Sequence, residues 1–172
     1  MSLLGKRILA YGTVIVASVA LFLGFSQTKA DAASTVSSVP TAFRGTWYEN
    51  DGYSKQKYKI SAKHMTFYWY SHGKYKSEGT YSLVKKLGNA KHKFIFQKHK
   101  NGWYTYSLSL ANGAAPMKKT TVKIGGKKYT AILTNGGGQV GYMPKHQKYD
   151  LMLHHATNHH YQQMASTSGS RS

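Results

Sequence analysis

Between residues 43 and 145 successive short stretches set apolar side chains at every second position, and no stretch sustains a helical period. KYKISA (57–62) puts Tyr58, Ile60 and Ala62 on one strand face. MTFYW (65–69) sets Met65, Phe67 and Trp69 against tyrosines on the opposite face, and TYSLV (80–84) places Tyr81 beside Leu83. In FIFQKHKNGWYTYSLSL (94–110), Asn101-Gly102 supplies the positive φ angles of a two-residue hairpin turn. Tyr104, Tyr106, Leu108 and Leu110 then line one face of the return strand. TVKIGGKKYTAIL (121–133) repeats the device with Gly125-Gly126, and GQVGYM (138–143) reads as a further short strand. LMLHHATNHHYQQM (151–164) begins as a last strand or forms a short helix. The pattern predicts an all-β fold: an up-and-down antiparallel barrel, or a strongly curved sheet, of about eight strands. Closing the sheet would remove the exposed edges that otherwise invite aggregation.

The ends of the chain read differently. Lys6 and Arg7 precede an almost uninterrupted apolar run, ILAYGTVIVASVALFLGF (8–25), and Ala30-Asp31-Ala32 supplies the small residues two apart that a signal peptidase accepts. The expected organisation is a signal peptide (1–32), a polar linker (33–42), a β-barrel domain (43–153) and a His- and Ser-rich tail (154–172). The alternative for the first segment is an uncleaved membrane anchor, since about 18 apolar residues is the lower limit for a span. Cysteine is absent, so the exported fold must hold by its core alone, as suits a Gram-positive exporter better than an oxidising compartment. No Leu-Pro-x-Thr-Gly sorting signal is present, so covalent wall attachment is not expected.

Charge sets the expected partners. The chain carries 24 lysines and arginines against 5 acids, a formal +19. Cleavage would remove Lys6, Arg7, Lys29 and Asp31, leaving +17. Such an excess favours polyanions: wall teichoic acid or acidic glycans for an exported protein, with nucleic acid a less fitting partner. Lysine in place of arginine points to diffuse charge, not bidentate recognition. The candidate surface is Tyr68 and Tyr70, exposed if Phe67 and Trp69 face the core, together with His72, Lys74, Lys76, Lys98 and Lys100. Two rival functions are a carrier of a small apolar ligand in the barrel mouth and an enzyme acting on wall polymer or glycan.

Residues for catalysis or metal binding are few. After position 32 the acids are Glu49, Asp51, Glu78 and Asp150. Glu49 and Asp51 share a strand face if that strand persists, and paired carboxylates can act on glycosides. Asn50-Asp51-Gly52, however, is a turn signal. On a helix His155 and His159 would lie one turn apart and could ligate a metal; on a strand the site dissolves. No cofactor is expected.

FRGTWYEN (43–50) opens the aromatic region. Arg44, Gly45 and Trp47 carry a resemblance: Gly45-Thr46-Trp47 at a first strand resembles the Gly-x-Trp signature of the lipocalins and wider calycin barrels. With the signal, the linker and the Lys/Tyr-rich meander, the start Pro40 to Tyr48 resembles small secreted proteins of lactic acid bacteria. The resemblance implies an extracellular lipocalin-like barrel, with the tryptophan packed across its base under an arginine from the last strand. Here Arg44 and Arg171 are the only arginines after position 32. Adjacent strand residues point to opposite faces, so Arg44 is not expected to cover Trp47 directly.

Overall fold

The computed structural model describes residues 33–109, 114–134 and 146–166. The expected signal peptide or anchor, the 138–143 strand and the end of the tail lie outside these residues, as do Leu110 and Arg171. The strands are β1 (Ser34–Thr35), β2 (Gly45–Asn50), β3 (Lys55–Ile60), β4 (His64–Ser71), β5 (Lys74–Leu83), β6 (Lys93–Lys98), β7 (Trp103–Leu108), β8 (Ala115–Ile124), β9 (Lys127–Thr134), β10 (His146–Leu153) and β11 (Gln162–Ser166).

Strands β2 to β10 form a closed nine-strand barrel: β2 pairs with both β3 and β10, and β6 pairs with both β5 and β7. The all-β barrel read from the alternation is present, with one more strand than expected and one departure in direction. Every barrel pairing is antiparallel except β5–β6, where Ser82 and Leu83 run parallel to Lys93 and Phe94. The reason is parity, because an odd ring of strands joined in sequence cannot alternate direction all the way round. The joint is held by Ser82 N–H to the His92 carbonyl at 2.9 Å and Val84 N–H to the Phe94 carbonyl at 2.9 Å.

Inward side chains follow the alternation. Trp47, Tyr58, Ile60, Met65, Phe94, Phe96, Met117, Ile132 and Met152 form the interior cluster, with Phe67, Tyr81, Leu83, Tyr104, Tyr106 and Leu108 packed on it. Asn101 (φ 56°) and Gly102 (φ 73°) make the β6–β7 turn. A second cluster, Trp103, Val122, Ala131, Leu133, Tyr149, Leu151 and Leu153, belongs to the opposite faces of β7–β10, with Tyr161 against it.

The segment 33–42 is not a free linker. β1 pairs with β6, Val39 is fully buried, and Val36 packs on the interior cluster. Arg44 holds this strap: its Nε donates to the Val39 carbonyl at 2.9 Å and its Nη2 to Ser38 Oγ at 3.2 Å. The tail is also partly recruited, since β11 runs antiparallel to β10 from His146↔Ser166 to Asp150↔Gln162. Residues 151–153 are strand, and no helix follows them among the described residues.

Candidate functional site

One end of the barrel is closed by Trp47. Its Nε1–H donates to the Phe43 carbonyl at 2.8 Å, and the His154 ring stacks on it with centroids 3.7 Å apart. His154 also donates from Nδ1 to the Thr46 carbonyl at 3.0 Å. Gly45, at φ +123°, permits this approach: a Cβ there would stand 3.3 Å from His154 Cε1. The cover over Trp47 is therefore a histidine directly after β10. Arg44 serves the strap instead.

At the other end a cavity of about 360 Å³ opens among residues of seven strands or their ends. Tyr58, Phe67, Trp69, Tyr81, Tyr106 and Leu108 supply its apolar lining. Its polar lining includes Glu49, Asp51, Glu78 and Asp150, which are all the acids of the described residues. Each arrives differently. Glu49 projects inward two residues after Trp47. Asp150 lies on β10, two residues before the inward Met152. Glu78 is the extra residue of a β-bulge, because Phe67 pairs with Gly79 while Tyr68 pairs with Ser77. Asp51 caps the turn after β2: Oδ1 accepts from the backbone N–H of Tyr53 (2.8 Å) and Ser54 (2.7 Å), and Oδ2 from Ser54 Oγ (3.1 Å).

Glu49 is the unusual member. It is 8% exposed, and burial pushes its pKa up to about 7. A hydrogen bond from Tyr58 opposes that rise, and the charges of Asp150 and Asp51 add to it. Partial burial also raises Asp51, but the hydrogen bonds from Ser54 and Tyr53 outweigh it and hold this carboxyl below its ordinary value. Tyr58 Oη lies 2.6 Å from Glu49 Oε2 and 2.6 Å from Gln56 Oε1. One hydroxyl proton cannot serve two acceptors. The set closes when a protonated Glu49 donates to Tyr58, which passes its own proton toward Gln56. Gln56 Nε2 then donates to Ser54 Oγ at 3.2 Å, and Ser54 donates to Asp51. Burial drives the Tyr58 and Tyr106 hydroxyls well above their usual range, so both stay neutral. A carboxyl half-protonated near neutrality, close to Asp51 whose own carboxyl is held below its ordinary value, has the make-up of a general acid.

The outer face of β2–β5 is of opposite character. Lys57 Nζ sits 3.9 Å from the Tyr68 ring centroid and 5.0 Å from that of Tyr75. Lys59 is 5.8 Å from Tyr68, and Lys55 is 5.3 Å from Tyr70. Tyr75 also meets Tyr48 and Tyr70, with ring centroids 5.6 and 5.1 Å apart.

The sequence-derived residues divide between places. Tyr68 and Tyr70 are on this outer face, but Lys74 and Lys76 pair with Ser71 and Trp69, so they belong to the other face of the ribbon. The alternation past residue 79 misses this because the bulge at Glu78 shifts the phase by one. The lysines brought beside the tyrosines are Lys55, Lys57 and Lys59, legible as a period-two stripe. His72 sits at the β4–β5 turn with its ring against Ser71 Oγ, 2.8 Å away. Lys98 and Lys100 lie on β6 and its turn, away from this ribbon. His155 faces Tyr129 (5.2 Å between centroids) and His159 faces Tyr161 (6.2 Å), in a segment without helix. Among the described residues no group of three or more His, Asp or Glu side chains is placed to hold a metal.

Fold and surfaces together define a closed β-barrel with a lysine–tyrosine exterior ribbon and an acidic, aromatic mouth. No protein family, curated protein or solved structure matches the chain.

Proposed function

We propose that this is an exported, basic β-barrel protein that binds anionic polymers, wall teichoic acid or acidic glycans, through the outer face of β2–β5. The observation that carries the reading is the register, which sets Lys55, Lys57 and Lys59 against Tyr48, Tyr68, Tyr70 and Tyr75 while every described acid lines the cavity. Ammonium groups poised over tyrosine faces attract phosphate or carboxylate, and the exposed Tyr70 with the half-buried Tyr48, Tyr68 and Tyr75 offers apolar ring surface to a sugar. Retention at the cell wall follows from this charge, with a membrane link only if residues 8–25 stay attached. Kinship with lipocalin-like secreted proteins is part of the proposal. It is supported by the tryptophan floor, where His154 stands in the place that family gives to an arginine.

Of the two rival readings, a carrier of apolar ligands gains nothing from a mouth that gathers four acidic side chains. A hydrolase using Glu49, Asp51 or Glu78 has the proton state of Glu49 in its favour, but Asp51 is spent on its turn. The test compares wild type with Lys55/Lys57/Lys59→Gln and Tyr68/Tyr70→Ala on immobilised teichoic acid. Both variants should elute at lower salt while unfolding like the wild type. Elution unchanged in both would remove this face from the account.

A further inference from the structure

We infer that the barrel mouth is a second, separate binding site, and that its ligand is a small organic cation: an amine carrying an apolar or aromatic body. The cavity of about 360 Å³ has room for roughly a dozen water-sized groups at about 30 Å³ each, the size of an arylalkylamine. Its deeper wall is aromatic, with Tyr58, Phe67 and Tyr106 buried or half-buried, and Trp69 stands at the rim, 42% exposed. Rings in that arrangement take an apolar body, and their faces favour a cation.

Charge decides the sign of the ligand. In a chain with 24 lysines and arginines, no described lysine or arginine lies within ion-pair distance of Glu49, Asp51, Glu78 or Asp150. The one such partner among the described residues is His160, whose Nε2 donates to Asp150 Oδ1 at 2.7 Å. Glu78 has no hydrogen bond or ion pair among those residues, although a bulge is spent on bringing it to the cavity. The charges of Asp150 and Asp51 already help to push Glu49 toward its protonated form, and a bound ammonium beside these acids and the unpartnered Glu78 relieves that repulsion. A metal ion would need converging ligands, and the described side chains offer no such set. An anion would meet the same acids, and a neutral apolar molecule would leave Glu78 unpaired.

The test is calorimetry on the full-length protein with three probes that share one body: 2-phenylethylamine, 2-phenylethanol and 3-phenylpropionate. The amine should bind about tenfold or more tightly than the alcohol or the acid. Glu78→Gln, at an exposed rim position, should weaken the amine by about threefold or more and leave the alcohol unchanged. Trp69→Leu should weaken amine and alcohol alike. Equal affinity for amine and alcohol, an amine that does not bind at about 10 mM, or Glu78→Gln without effect on the amine would each overturn the assignment. Polymer retention by the outer face is read independently, so failure here leaves that reading untouched.

Discussion

Glu49 shows how one residue can couple this fold to pH. Its ordinary pKa of 4.5 becomes about 7 in the folded protein. Between these values the folded state holds a proton that the unfolded state has lost, so this group's contribution to stability falls as pH rises from 4.5 to 7. Above that window the full penalty remains, roughly 3 kcal/mol at about 1.4 kcal/mol per pKa unit. Glu49→Gln keeps a neutral group at the site. It should unfold at higher denaturant than wild type near pH 8, by about 1–3 kcal/mol, and match wild type near pH 4. A variant less stable than wild type at every pH would show that Glu49 is held as a carboxylate. The residue pattern announced a pairing of Glu49 with Asp51. It could not announce Asp150, which comes from the far end of the chain and meets Glu49 only because β10 closes on β2. Nor could it show that Asp51 would be consumed by its own turn, beyond the Asn-Asp-Gly signal itself.

At the scale of elements, period-two patterning tells which face of β3, β4 and β7 is core, because those strands are regular. It fails where strands are not regular. The bulge at Glu78 exchanges the faces of Lys74 and Lys76, and the parallel β5–β6 joint has no local signature, being a consequence of strand count. The barrel floor is a further case. His154 reads as the start of a polar tail, yet it follows the last barrel strand directly and covers Trp47 from there. His154→Ala removes a stacked ring and one hydrogen bond and should cost about 1–2 kcal/mol in chemical denaturation. His154→Phe should recover the stacking part. Equal loss in both variants would assign the whole effect to the bond with the Thr46 carbonyl.

Over the whole molecule the dominant feature is the segregation of charge. The described acids are gathered at the mouth, while lysines stripe the outer face of β2–β5. The excess of base is plain from composition; the segregation is not, because it depends on barrel closure and on one bulge. Long-range attraction to a polyanion follows from the exterior and should be screened as the Debye length shrinks from about 10 Å at 0.1 M salt to about 3 Å at 1 M. The most direct measurement is therefore a salt titration of the protein on purified Gram-positive cell wall, with and without its teichoic acid. The account predicts retention that falls steeply with salt and disappears when the teichoic acid is removed. Retention indifferent to salt, or unchanged on the stripped wall, would contradict it.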